Sequence, residues 1–204
     1  MGCTVLTDAK VVNRWQVNKP LMIVFPRKEM ICTFTANYNI FMEDQTNIRP
    51  SWDQYFMQIA HTVSERATCD RGRSGCVIVR DKQILVTGYV GSPRGLPHCD
   101  EVGHLMKKVL HEDGRITQHC MRTVHAEQNA ICQAARLGIP LEKATLYCRM
   151  TPCRTCAMLI INCGIVRVVC ERKYHDGQES EEMFRQAGVA LEYVRNEVQP
   201  YENQ

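Results

Sequence analysis

The chain has 204 residues, enough for one domain with an extension or for two very small ones, and 45% of them are hydrophobic, which supplies a core and excludes global disorder. A formal charge of +3 with 7% aromatic residues argues against a dedicated nucleic-acid binder. No apolar run approaches a membrane span (the best, residues 21–25, is far too short) and the first residues lack a secretory pattern, so a cytoplasmic protein is expected.

Residues 1–49 have apolar stretches at 21–25 and 30–34 but no clean period. They read as an N-terminal extension: a strand pair packed on the main domain, a subunit interface or a loose tail. Residues 50–204 read as the main domain. Ser51 is a good N-cap for a helix whose Trp52, Tyr55, Phe56, Ile59, Ala60 and Val63 share one face. Residues 76–80 and 83–89 are β-rich runs around Asp81-Lys82, a hairpin. Residues 90–119 read as one long loop punctuated by glycine and proline and rich in His and Cys, and loops that long are usually functional. An alternation follows: helix 123–136 stopped by Gly138-Ile139-Pro140, strand 144–148, helix 152–163 with Gly164 past its end, strand 165–170, helix 179–187 stopped by Gly188, and strand 189–194. The hairpin and these units predict an α/β fold of three layers, α/β/α, around a five-stranded mixed sheet.

Twelve cysteines in a reducing compartment have metal ligation as their leading use, while Cys76, Cys148 and Cys170 sit in apolar strand-like runs and read as small core residues. His125-Ala126-Glu127 and Pro152-Cys153-Arg154-Thr155-Cys156 stand out. They supply three zinc ligands, His125, Cys153 and Cys156, and a catalytic site differs from a structural one in leaving the fourth place to water. Glu127 remains as a proton carrier for that water, to serve a cytosine ring nitrogen and then the departing ammonia. His125 cannot be the base, because its lone pair is on the metal. A structural zinc knuckle and a redox Cys-x-x-Cys pair are the alternatives. Both halves of the motif fall at helix beginnings, where the dipole favours thiolate.

Beyond the zinc motif, Ser51-Trp52-Asp53-Gln54-Tyr55-Phe56-Met57, Thr68-Cys69 with Arg73-Ser74-Gly75, Gly88-Tyr89-Val90-Gly91-Ser92-Pro93-Arg94-Gly95, Pro97-His98-Cys99 and residues 119–131 together resemble the deoxycytidylate (dCMP) deaminase family of the cytidine deaminase-like superfamily. The resemblance runs from about Ser51 to about Val194 and leaves out residues 1–49. It implies zinc-dependent hydrolysis of dCMP to dUMP and ammonia for thymidylate supply. It also implies nucleotide contacts at Ala126, Arg136, Tyr174 and the loop holding Val90, with Arg136 on the 5′-phosphate. Family members often carry a second, structural zinc, for which Cys69, Cys99 and Cys120 with one histidine, His104, would close a tetrahedron; scattered reduced cysteines are the other reading. A homohexamer is implied as well, activated by dCTP and inhibited by dTTP with Mg2+.

Three positions depart from the family pattern: Val90 stands for an asparagine, Arg149 for a threonine and Cys170 for a common tyrosine. They leave the zinc chemistry intact and bear on sugar selectivity and effector response. A deaminase of dCTP or of a modified cytosine nucleotide remains an alternative. So does a non-catalytic competence or binding protein that kept the fold. A nucleic-acid deaminase ranks low without a basic run or stacking aromatics.

Overall fold

Ser51 and Gln54 close a capping box: the Gln54 N–H donates to Ser51 Oγ at 3.2 Å, and the Ser51 N–H donates to Gln54 Oε1 at 2.9 Å. Helix α1, Trp52–Ser64, follows. The computed structural model describes residues 49–110, 114, 116–195 and 198–199, so the expectations for residues 1–48 lie outside the described residues. The predicted apolar face of α1 is buried at Phe56 and Ala60, but Trp52 and Tyr55 stay 49% and 42% exposed, with Trp52 stacked on Phe56.

Strands β1, Gly75–Arg80, and β2, Gln83–Tyr89, form the expected hairpin. Asp81 and Lys82 turn it with φ of 51° and 63°, the left-handed pair that a two-residue turn demands. Where one loop was expected, the chain forms a short helix α2, Cys99–Val102, and a second hairpin, β3 (Met106–Leu110) and β4 (Ile116–Cys120). All of β3 is exposed, so no face is buried and no alternation of apolar and polar residues announces the strand.

The remainder alternates as predicted: α3 (Ala126–Leu137), β5 (Thr145–Met150), α4 (Arg154–Asn162), β6 (Arg167–Tyr174), α5 (Gln178–Ala187) and β7 (Ala190–Tyr193). Helices α3 and α5 end on Gly138 and Gly188, with φ of 68° and 71°. The main sheet runs β2-β1-β5-β6-β7, and a two-residue strand β8, Val198–Gln199, pairs with β6 beyond β7. Strand β1 is antiparallel to both its neighbours, while β5, β6 and β7 are parallel, so the sheet is mixed. Helix α1 packs on one face against Val77, Val79, Tyr147 and Val169; the other face, with Cys76, Ile78, Cys148 and Cys170, is covered by α3, α4 and α5. This is the three-layer arrangement, and the three cysteines are core residues as expected.

Helix α3 lies directly on the β1–β2 hairpin at Gly88. A Cβ there would stand 2.1 Å from the Ala126 carbonyl oxygen and 2.6 Å from the Ala130 nitrogen, both backbone. Gly88→Ala is therefore expected to cost at least the about 1–3 kcal/mol typical of overpacking, measured by urea unfolding, and to displace the helix that begins at His125.

The edge of the α1 layer is tied by Arg167. Its guanidinium donates to both Asp53 oxygens at 2.9 Å and to Glu192 at 2.8 and 2.6 Å, and the Tyr147 hydroxyl donates to Asp53 at 2.6 Å. Hydrogen bonds from Arg167 hold Asp53 and Glu192 below the usual carboxylate range. A lowered folded pKa adds stability that is complete above the unfolded value and lost as pH falls through the folded one. The Tm advantage of wild type over Asp53→Asn, both zinc-loaded, is expected to be constant above about pH 5 and to close as pH falls below the ordinary carboxylate value of about 4.

Candidate active site

The N-terminal ends of α3 and α4 meet at the carboxyl edge of β5. His125 is the N-cap of α3 and Cys153 the N-cap of α4, one step earlier than the first turns expected from sequence. Glu127 and Cys156 lie within the helices and are buried, with Glu127 6% exposed. Pro152, fully buried, precedes the cap and fixes the approach of the chain.

His125 Nδ1 lies 3.4 Å from Cys153 Sγ and 3.5 Å from Cys156 Sγ, and the three donor atoms are all within 4.8 Å of one another. A tetrahedral zinc with bonds of about 2.3 Å to sulfur and 2.0 Å to nitrogen sets those atoms about 3.5 Å apart. The donor set therefore fits zinc in type and spacing. Glu127 Oε2 is 3.6 Å from Cys156 Sγ, close enough to reach what the three donors hold.

The donors perturb one another. Hydrogen bonding from Cys156, aided by His125, pulls the Cys153 thiol down to about 4, and the Cys153 contact raises His125 to about 9. Cys156 is pushed strongly up by the hydrogen bond it shares with Cys153 and by burial. Burial also raises Glu127, against the favourable charge of His125. A carboxyl poised nearer neutrality than usual exchanges protons readily in both directions.

The site opens into a cleft of about 450 Å³, whose lining includes His125, Glu127, Cys153, Val90 and Tyr174. Val90 is 8% exposed and belongs to the main core cluster as well as the cleft wall. Ala126 is fully buried beside the ligands. Arg136 is placed elsewhere: it is exposed in the last turn of α3, eleven residues beyond His125, or about 16 Å along the helix at 1.5 Å per residue. The arginines that do line the cleft are Arg71 and Arg154, with His119 beside them. Arg154 sits inside the Cys-x-x-Cys motif and Arg71 two residues after Cys69, so proximity to quoted motifs was the available signal.

A second donor group also assembles. Cys69, Cys99, His104 and Cys120 bring their ligand atoms within 4.8 Å of one another, with Cys99 Sγ 3.6 Å from Cys120 Sγ and Cys69 Sγ 3.7 Å from His104 Nδ1. His104 turns its other nitrogen to Asp70 at 2.9 Å, which orients Nδ1 toward the thiols. Of the remaining candidates, His98 Nδ1 pairs with Thr68 Oγ1 at 2.9 Å and His119 Nε2 with Thr117 Oγ1 at 2.7 Å. Burial drives Cys99 up to about 12; at Cys120 burial is outweighed by hydrogen bonds from the Arg122 and Leu105 backbone and from His104, bringing it to about 7.

Residues 50–172 match the family model described as the cytidine and deoxycytidylate deaminase zinc-binding region. The chain is 42% identical over 146 residues to the ComE operon protein 2 of Bacillus subtilis, covering 72% of each chain. It is 36% identical over 169 residues to the deoxycytidylate deaminase of Saccharomyces cerevisiae, covering 81% of this chain and 53% of that one, so it spans about half the length of the yeast relative. Among solved structures, the dCMP deaminase of cyanophage S-TIM5 in complex with dCMP and dUMP is similar, with a TM-score of 0.58 and 26% identity over 72% of this chain and 99% of that one. With its donor set and free carboxylate lying inside the matched segment, the chain belongs to the cytidine and deoxycytidylate deaminase zinc-binding family.

Proposed function

We propose that this protein is a deoxycytidylate deaminase, converting dCMP and water to dUMP and ammonia. The observation that carries the reading is a three-donor zinc set with a buried, unligated carboxylate beside it in one nucleotide-sized cleft. His125, Cys153 and Cys156 hold the zinc, which supplies Lewis acidity that makes water a nucleophile near neutral pH. Glu127 moves the protons. It accepts one from the attacking water and delivers it to ring N3 as oxygen bonds to C4; it then takes the proton of the new C4 hydroxyl and passes it to the amino group, so that the C4–N bond breaks, ammonia leaves and the C4 carbonyl forms. Tyr174 and Val90 bound the nucleotide, with Ala126 packed behind it.

Several finer assignments accompany this reading. Residues 50–204 form the catalytic domain and residues 1–49 an extension. The second donor group, Cys69, Cys99, His104 and Cys120, holds a structural zinc that fastens α2 and the β3–β4 hairpin to the body of the domain. The enzyme is a cytoplasmic homo-oligomer, a hexamer, in which Arg136 serves a nucleotide phosphate across a subunit contact, because its own cleft is a helix length away. The effectors are dCTP and dTTP with Mg2+, and Val90, lacking an amide at the cleft wall, blunts their effect.

Ammonia release is to be measured on CMP, dCMP, dCTP, deoxycytidine and a cytosine oligonucleotide, with zinc quantified in the same sample. Preference for dCMP is expected. Faster turnover of dCTP would move the substrate assignment, and fully zinc-loaded protein with no turnover on any of them would leave a non-catalytic binding role.

A further inference from the structure

Tyr174 lines the cleft from the last position of β6, where the chain turns into α5. That turn, residues 174–177, is closed by the Gly177 N–H, which donates to the Tyr174 carbonyl at 3.1 Å. It rests on Thr151, 4% exposed, which follows β5 and lines the cleft as well. A Cβ at Gly177 would stand 3.0 Å from the Thr151 methyl carbon, so the turn lies directly on that side chain. The Tyr174 N–H donates to Thr151 Oγ1 at 3.0 Å.

Thr151 Oγ1 also lies 3.1 Å from the hydroxyl of Tyr193, the last residue of β7, and Tyr193 donates to Glu181 Oε1 of α5 at 2.8 Å. A carboxylate oxygen only accepts, and a phenol has one proton to give. The Thr151 hydroxyl therefore donates to Tyr193 and keeps its lone pairs for the Tyr174 N–H. Every group in the chain from Tyr174 through Thr151 and Tyr193 to Glu181 is thus held in one orientation. Burial raises the Tyr193 hydroxyl, so it stays protonated and preserves that polarity. Helix α5 closes the ring: it starts after Gly177 and carries Glu181 beside the cleft residues Glu179 and Ser180. We propose that Thr151, oriented by Tyr193 and Glu181, is a positioning residue that fixes the Tyr174 wall against which the nucleotide binds; that a nucleotide lies there rests on the deaminase reading. Without the hydroxyl, the Tyr174 N–H and the Tyr193 oxygen lose these partners and the turn is free to shift.

The test combines steady-state kinetics on dCMP with amide hydrogen exchange at Tyr174, both on the zinc-loaded full chain. Thr151→Val, which keeps the branched shape and loses the hydroxyl, should raise KM about tenfold, as loss of a buried hydrogen bond would, with kcat nearly unchanged. Its Tyr174 amide should exchange faster. Thr151→Ser, which keeps the hydroxyl, should match wild type in both measurements, and Tyr193→Phe should move KM in the same direction as Thr151→Val. In a Tyr174→Ala background, Thr151→Val should add no further rise in KM, which a general loss of stability would not produce. Unchanged KM in folded Thr151→Val, a loss through kcat instead, an equal loss in Thr151→Ser, or a full additional effect in the Tyr174→Ala background would each overturn the role. A wild type without turnover of dCMP would unseat the deaminase reading instead. Tyr174 exchange does not depend on turnover, and an unchanged rate in Thr151→Val would overturn the positioning role in either case.

Discussion

Glu127→Gln is expected to lower kcat on dCMP by about 10²- to 10⁴-fold, the usual worth of a positioned acid–base group, while zinc content and fold stay as in wild type. The amide keeps the size of the side chain in a position only 6% exposed, so packing is preserved. It also removes a carboxyl that burial already disfavours in its charged form, so stability should hold or rise. What it cannot do is accept a proton from water and release it to the substrate. Steady-state ammonia release together with metal analysis and thermal unfolding separates these effects. A variant with a tenth of wild-type kcat would remove Glu127 from the proton-transfer role.

Cys153→Ser is expected to act on the metal itself. Serine is a favourable N-cap, so replacing the cap of α4 leaves the helix start intact. The hydroxyl is a poor zinc ligand beside a thiolate held down to about 4. Since even groups behind the ligands are worth roughly 10- to 100-fold in metal affinity, loss of a ligand should exceed about 100-fold. Competition with a zinc chelator, followed by mass spectrometry of the native protein, measures it. Retention of the wild-type affinity would take Cys153 out of the donor set.

Arg136 and the β3–β4 hairpin show where sequence reasoning stopped. A resemblance places an arginine in a motif but does not say which cleft it faces, and here the straight run of α3 carries it away from its own. The hairpin, with every β3 residue exposed, lacks the alternation by which strands are read. Trp52 and Tyr55 share the periodicity of Phe56 yet remain half exposed, because helical period names a face without stating how far the sheet beneath extends.

What the sequence determined by itself was local. Caps, stops, the Asp81-Lys82 turn and the alternation of strand and helix follow from short-range sterics and period, and they set the layered sheet. The three donors were legible because two short motifs carry them, and their ligand atoms do come together. His104 was named with Cys69, Cys99 and Cys120 from the resemblance; that these four, drawn from separate segments, meet while His98 and His119 pair with threonines belonged to the tertiary structure. So did the chain from Thr151 through Tyr193 to Glu181, drawn from two strand ends and a helix. Both depend on which chain ends meet in space, and sheet order and register fix that only once the whole core has packed.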